Sequence, residues 1–286
     1  MKNAATIRIK SIGLLLILTL IIGISPGLAI TWGEIDDNNT YSNVCMVGVS
    51  VYDHDSGDYV PVTICSGTLI SANVVLTAGH CIEYVESLEE LFGLENVLVE
   101  VMFDVDLTSA IPGDGTEISE HIIHPDYFWG PTSNPHDVGV LTFAQPFNIE
   151  PATLPDQGFL NDLKAAKVLG KGSDKGKFTA VGYGCTVDWP PPVVNYFDSF
   201  IRRYAESEYR ALLPAWLRLS QNQATDDSGS CFGDSGGPVF WTDPMTGKDI
   251  LVGITSWGDP HCISPSFNYR VDIPEVLDFI EPFINP

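Results

Sequence analysis

The stretch from Cys231 to Pro238, CFGDSGGP, constrains this chain more than any other. One serine, Ser235, is surrounded by three glycines, an aspartate and a proline. Glycines at this density favour a backbone bent into dihedral angles that larger side chains resist. Such a bend exposes the serine hydroxyl and turns backbone N–H groups toward one point, as acyl transfer requires. The alternative interpretation is a tight turn between two strands with no chemistry.

A serine hydroxyl is a weak nucleophile at neutral pH, so it needs a base, and the base needs a group that orients it. The sequence offers His80 in the run LTAGHC and Asp137 in the run HDVGVL. The alternative for His80 is a structural histidine held by the neighbouring cysteine. The alternative for Asp137 is an acid that only begins a buried strand.

Together the three segments resemble the trypsin/chymotrypsin family of serine endopeptidases, over roughly residues 30–286. That family carries its histidine in a Thr-Ala-Gly/Ala-His-Cys run, its aspartate at the start of an apolar strand and its serine in Gly-Asp-Ser-Gly-Gly-Pro. The chain order His, Asp, Ser agrees with this family and differs from subtilisins and α/β-hydrolases. The resemblance implies an all-β fold of two six-stranded antiparallel Greek-key barrels packed together, with a C-terminal helix. It places the N-terminal barrel at about residues 30–150 and the C-terminal barrel at about residues 151–286.

The resemblance also implies roles for single residues. Ser235 is the expected nucleophile, His80 the base and Asp137 the group that orients the base. The expected oxyanion donors are the N–H groups of Gly233 and Ser235. The remaining substrate-binding residues implied by the family are Gly229, Ser230, Ser256, Trp257 and Gly258. No cofactor and no metal are expected.

Substrate preference is read from the residue six places before the serine. Family members that cut after Lys or Arg have an aspartate there, whereas this chain has Gly229. Asp226 and Asp227 are close but need a shifted loop to reach the pocket floor. We therefore expect no strict Lys/Arg preference: a neutral floor suits apolar or small side chains, and Phe267 narrows the pocket. The alternative is an acidic side chain read by His261.

The six cysteines indicate an oxidising compartment. The resemblance implies the pairs Cys65–Cys81 and Cys231–Cys262. Cys45 and Cys185 remain and are paired by elimination, although six cysteines permit 15 connectivities.

Residues 1–29 are typical of an export signal, because Lys2, Arg8 and Lys10 precede a short apolar run and small residues end it. The alternative is an uncleaved membrane anchor. Cleavage after Ala29 leaves Ile30 as the first residue. In the family, the new α-ammonium group pairs with the aspartate before the serine, here Asp234, so we expect signal removal to be the activation step of a secreted enzyme.

The formal net charge is -23. Removal of the three basic residues of the signal makes it more negative still, so nucleic acid and anionic membranes are improbable partners. The acidity indicates solubility or salt tolerance, with a preference for basic substrates as the alternative. The expected partner is a protein or peptide substrate of a monomeric enzyme, although the sequence does not fix the oligomeric state. An inactive binding module on the same fold and an esterase remain alternative functions.

Apolar periodicity predicts the local structure. Residues 45–52, 62–70, 97–105 and 118–124 have the alternation typical of strands. Residues 196–219 have helical spacing, with Glu206 and Arg210 one turn apart. Residues 274–280 indicate an amphipathic helix that begins at a proline. Residues 83–91 are acidic and helix-compatible; a solvated face is favoured over a calcium site.

Overall fold

A computed structural model of the chain describes residues 30–31, 33–130, 132–170, 176–186, 197–198, 200–225 and 227–285. The predicted export signal, residues 1–29, lies outside this part of the chain. In the part that is described, no helix combines the length and the apolar character needed to cross a bilayer.

The described chain is built mainly of strands, with three α-helices. The strands are β1 (Glu34–Ile35), β2 (Val44–Asp53), β3 (Asp58–Ser71), β4 (Val74–Thr77), β5 (Val97–Met102), β6 (Thr116–Glu117), β7 (Glu120–Ile123), β8 (Gly139–Thr142), β9 (Phe178–Gly182), β10 (Cys185–Thr186), β11 (Phe197–Asp198), β12 (Arg203–Ser207), β13 (Tyr209–Leu212), β14 (Trp216–Leu219), β15 (Pro238–Thr242), β16 (Asp249–Trp257) and β17 (Ser266–Arg270). The helices are α1 (Gly79–Phe92), α2 (Phe159–Ala165) and α3 (Pro274–Ile284).

Two antiparallel sheets contain nearly all of these strands. The first has seven strands in the order β6-β5-β2-β3-β4-β8-β7, and the second has eight in the order β1-β12-β9-β15-β16-β17-β14-β13. The all-β fold with a C-terminal helix is therefore confirmed, while the strand count exceeds six in each half. Short edge strands account for part of the excess, because β1 and β6 have two residues each.

Strand β2 shows why the two sheets pack together. It lies between β3 and β5, and its first eight residues are buried on both faces. Val47 and Val49 face the core of the first sheet, where Val85 of α1 also packs. Val44 and Met46 point the other way, into a core shared with side chains of the second sheet such as Phe240. Its second buried face includes the small residues Gly48 and Ser50, which is why the sequence shows apolar alternation although both faces are buried.

The region 196–219 corrects a prediction. The sequence predicts a helix there, but the structure has β12, β13 and β14. Arg203, Ala205 and Ser207 are buried, whereas Tyr204 and Glu206 between them are more exposed. Burial therefore repeats every two residues rather than every 3.6. Glu206 pairs with Lys177, and Arg210 lies 3.8 Å from Asp227, so the predicted Glu206–Arg210 pair is also wrong.

Disulfide bonds join Cys65 to Cys81 and Cys231 to Cys262. The predicted Cys45–Cys185 bond is wrong. Cys45 lies on β2 within the core of the first sheet. Cys185 packs instead with Cys231 and Cys262. Elimination failed because it assumed that the last two of the six cysteines must bond to each other.

Candidate active site

His80 and Asp137 meet because β4 and β8 are neighbours in the first sheet. His80 follows β4 in the first turn of α1, and Asp137 lies just before β8; Thr77 and Gly139 are opposite each other in the ladder. The Asp137 carboxylate accepts a hydrogen bond from the His80 backbone N–H at 2.9 Å. His80 Nδ1 lies 3.0 Å from Asp137 Oδ2 and 3.1 Å from Oδ1. The contact leaves Nε2 as the ring nitrogen free to serve as a base.

Asp137 is fully buried, yet its pKa lies below the ordinary value. Burial alone raises the pKa of this carboxyl, but the charge of His80 and hydrogen bonds from His80 and Ser256 outweigh it. The Ser256 hydroxyl donates a hydrogen bond to Asp137 Oδ2. Ser256, which the sequence assigns to substrate binding, thus also holds the aspartate.

The loop that carries Ser235 packs directly against the segment that precedes His80. The Ser235 carbonyl accepts a hydrogen bond from the Ser66 N–H at 2.8 Å, and Cys81 Sγ lies 3.6 Å from the same oxygen. A Cβ added to Gly236 would lie 2.9 Å from the Ala78 nitrogen, so only glycine permits this approach. The segments that carry His80, Asp137 and Ser235 therefore meet, although no hydrogen bond links Ser235 Oγ to His80 in the described residues.

Gly233 bends the loop two residues before Ser235 and leaves two backbone N–H groups without an acceptor among the described residues. Gly233 has φ 93°, in the region that favours glycine. The N–H groups of Gly233 and Ser235 have no hydrogen-bond acceptor within the part of the chain that the structure describes. Ser66 fixes the loop, because its hydroxyl donates to the Gly233 carbonyl at 3.0 Å and accepts from the Tyr183 N–H at 3.2 Å. The arrangement offers two donors for an anionic oxygen.

Asp234 points away from solvent, beneath the serine loop. Its carboxylate accepts hydrogen bonds from the N–H groups of Gly184 and Cys231, each at 2.8 Å. Burial raises the pKa of Asp234 to about 7, against the opposing effect of these two bonds. A cation placed near this carboxylate would lower its pKa again.

The predicted first residue of the mature chain lies near this loop. Ile30 is fully buried, and Thr31 forms an isolated antiparallel bridge with Gly229. The Thr31 hydroxyl also donates to the carbonyls of Gly229 and Cys262, at 3.0 and 3.3 Å. No hydrogen bond joins Ile30 to Asp234 in the described residues, and in the full-length chain the Ile30 nitrogen is a peptide nitrogen.

Asp226 and Asp227 are the carboxylates nearest in sequence to Gly229 at the predicted substrate pocket. The neighbouring Asp227 is buried, with its carboxylate bound by the Glu208 N–H at 3.0 Å and the Thr225 hydroxyl at 2.8 Å. Asp226 lies outside the described residues. The ring of Phe267 stacks on that of Trp257 at 3.6 Å, and Arg218 lies 4.7 Å from its centroid. Phe267 therefore supports the Trp257 strand.

Sequence reasoning missed several residues at this site. Trp129 lies on the loop before Asp137, with its ring centroid 5.2 Å from that of His80. It borders a cavity of about 420 Å³ that is also lined by Trp216 and Trp257. The adjacent aromatic pair Phe128–Trp129, close to the aspartate motif, was the available signal. No sequence signal indicated Ser66 or Gln221, because the sequence around an isolated polar residue does not show which groups its side chain contacts.

Comparisons with known proteins show which family this chain is similar to. A family model described as trypsin matches residues 34–280. Lectizyme from Glossina austeni is 32% identical over 70% of this chain and 69% of that protein. A trypsin from Saccharopolyspora erythraea is 30% identical over 68% of this chain and 75% of that protein. Vitamin K-dependent protein C from Oryctolagus cuniculus is 26% identical over 77% of this chain, a match that spans 46% of that protein. Of the solved structures, one titled HL collagenase has a TM-score of 0.58 at 19% identity, over 89% of this chain and 98% of that chain, which supports the fold alone.

Proposed function

The chain belongs to the trypsin family of serine endopeptidases, and from this premise we propose that it is a secreted enzyme that hydrolyses peptide bonds through an acyl-enzyme. Its substrates are proteins or peptides. The export-type segment at residues 1–29 supports secretion. The acidic net charge supports the expectation that neither nucleic acid nor an anionic membrane surface is a partner.

The observation that carries the proposal is the convergence of three distant segments. His80 Nδ1 is held by a buried carboxylate, and the Ser235 loop packs on the residues just before His80. A carboxylate that fixes one ring nitrogen directs the other toward a nucleophile and stabilises the imidazolium formed during attack.

In the proposed reaction, Ser235 Oγ attacks the substrate carbonyl while His80 takes its proton. His80 then gives the proton to the leaving amine. In the second half of the reaction, His80 takes a proton from water, the water attacks the acyl-enzyme, and His80 returns the proton to Ser235 Oγ as the acyl group leaves. The Gly233 and Ser235 N–H groups bind the oxyanion, and each such donor is worth about 2.7–4 kcal/mol of the barrier. The Trp257 strand edge binds the substrate backbone by strand addition.

The preference of the primary pocket is not strictly for Lys or Arg. Gly229 supplies no carboxylate, and the nearby Asp227 is engaged by its own loop. The activation step proposed for this enzyme is removal of residues 1–29, which frees the Ile30 α-amino group to pair with Asp234.

Covalent labelling tests the proposal. A fluorophosphonate probe is expected to label the processed wild-type protein, and Ser235→Ala abolishes labelling because it removes the nucleophile. Asp137→Asn lowers kcat by about 10⁴-fold, as loss of the orienting carboxylate does in this mechanism. Ser109→Ala, at an exposed serine that is not among the residues assigned to the site, is the matched control and labels normally.

The outcome that contradicts the proposal is a folded, processed wild-type protein that never labels, which would identify an inactive binding module. Labelling together with cleavage of esters but of no peptide in a broad library would favour the esterase.

A further inference from the structure

The side chain of Gln221 packs against Gly229 and lies near Gly258, two of the residues predicted to line the substrate pocket. A Cβ added to Gly229 would lie 2.5 Å from Cγ and 2.6 Å from Nε2 of Gln221. A Cβ added to Gly258 would lie 3.7 Å from Gln221 Oε1. The amide therefore extends from one residue of the predicted pocket to another, across the space between them.

Gln221 is held firmly in this position. It is only 1% exposed, and its Nε2 donates a hydrogen bond to the carbonyl of Ser230. Gly229 is fixed in turn by the Thr31 hydroxyl on the other side. Because both ends of the contact are anchored, the amide is part of the pocket wall.

The opposite side of the pocket is also narrow. Gly258 directly follows β16 and Ser266 begins β17, and a Cβ on Gly258 would be in van der Waals contact with Ser266 Cα at 3.5 Å. A substrate side chain that enters beside Gly258 therefore meets the Gln221 amide after a short distance.

We propose that Gln221 sets the depth of the primary pocket, so that the enzyme cleaves after small uncharged side chains such as Ala and Ser. This inference rests on the proposed endopeptidase function and specifies its substrate class. Gln221 carries no charge, and Asp227 is turned into its own hydrogen bonds, so the described pocket offers no partner for Lys or Arg. Leu and Phe side chains are too long for a pocket that ends at Gln221, because their extra carbon atoms would overlap the amide.

A peptide series that differs only in the residue before the cut tests the inference, with Ala, Ser, Leu, Phe and Lys at that position. Wild-type kcat/KM is expected to favour Ala and Ser over the other three by at least about tenfold, the usual scale for a pocket that discriminates by size. Gln221→Ala opens the wall and raises kcat/KM for Leu and Phe by about tenfold, while the value for Ala changes little. Gln157→Ala, at an exposed glutamine away from the site, leaves the profile unchanged.

Gln221→Met keeps the side-chain volume and removes the hydrogen bond to Ser230, so the preference for small residues is expected to remain. This variant tests the role of side-chain size if Gln221→Ala does not fold. The inference is overturned if wild type cleaves after Phe or Lys as efficiently as after Ala, or if Gln221→Ala has the wild-type profile. Fluorophosphonate labelling of Ser235 distinguishes failure of the Gln221 proposal from failure of the proposed endopeptidase function. A protein that labels but shows another preference refutes the role of Gln221, and one that never labels refutes the proposed function.

Discussion

Ser256 shows how a single hydroxyl holds Asp137, the carboxylate proposed to orient His80. Asp137 is fully buried, and a buried carboxylate is stable only when donors surround it. Its donors are the backbone and ring of His80 and the Ser256 hydroxyl. Because its pKa is lowered, Asp137 contributes stability above its unfolded pKa, and that contribution is lost as the pH falls through the lower folded value.

Ser256→Ala is expected to lower kcat/KM by about tenfold or more. A hydrogen bond to a charged group contributes about 1.5–3 kcal/mol, and 1.36 kcal/mol corresponds to a factor of ten. Loss of the donor also raises the pKa of Asp137, so the acid limb of the pH–rate profile moves to higher pH. Steady-state kinetics from pH 4 to pH 9 measure both effects, with Ser109→Ala as control. An unchanged rate and an unchanged acid limb would show that the Ser256 contact is incidental.

At this scale the sequence was informative where chemistry demands one residue type. A nucleophile, its base and the orienting acid cannot be exchanged for other residues, so His80, Asp137 and Ser235 are recognisable in their motifs. Ser66 and Gln221 act through the shape of the fold. A serine that bridges Gly233 and Tyr183 looks like any other serine until the strands are placed.

The secondary-structure elements also separate into those that a local sequence pattern predicts and those that depend on distant contacts. Strand β2 and helix α3 were predicted because apolar periodicity and a proline at the helix start are local signals. The region β12–β14 was misread because its buried polar residues depend on distant partners. Arg202, just before β12, is fully buried and pairs with Asp36 at 2.9 Å, across 166 residues of chain. No local pattern encodes a partner so far away.

Helix α1 has an unfavourable charge distribution at its C-terminal end. Its last turn contains Glu89 and the exposed Glu90 and no basic residue. The helix dipole places partial negative charge at this end, so acidic side chains there are repelled. Glu89 has a partner in His121, whose Nε2 lies 3.0 Å from its carboxylate, whereas Glu90 has no such partner among the described residues.

Glu90→Lys is therefore expected to stabilise the protein by about 0.3–1 kcal/mol. The lysine also gains a favourable position one turn after Glu86. Urea unfolding of the Ser235→Ala background, which cannot digest itself under the proposed mechanism, measures the change at low and high salt. Glu90→Gln removes the charge without reversing it and gives an intermediate gain. A gain that persists undiminished at 1 M salt would exclude the electrostatic explanation, since salt at that level screens surface charges beyond about 3 Å.

On the scale of the whole molecule, the N-terminal segment connects the two halves. Residues 34–35, which the sequence groups with the first half, pair with β12 in the second sheet. Just before them, Thr31 is bound to Gly229, which precedes Asp234 by five residues and Ser235 by six. The chain start is therefore placed where a new α-amino group can affect the loop that carries the nucleophile.

The buried Asp234 provides a way to detect that effect. Its folded pKa of about 7 is above the ordinary 3.8, so between these values the folded chain holds a proton that the unfolded chain has lost. The unfolding free energy therefore falls as the pH rises through this window, by up to about 1.4 kcal/mol per pH unit. An ammonium group paired with Asp234 would lower its folded pKa and remove this slope.

Two otherwise identical proteins can test the pairing, one that begins at Ile30 and one with a single extra glycine before it. The protein that begins at Ile30 is expected to show little loss of stability between pH 5 and pH 7 and to label with fluorophosphonate at least about tenfold faster, since 1.36 kcal/mol of loop stabilisation gives that factor. The extra glycine moves the ammonium group away, so the slope and the slow labelling return. Asp234→Asn, which cannot ionise, removes the slope in both proteins and serves as the control. Equal slopes and equal labelling rates for the two chains would rule out Ile30 as the activating residue.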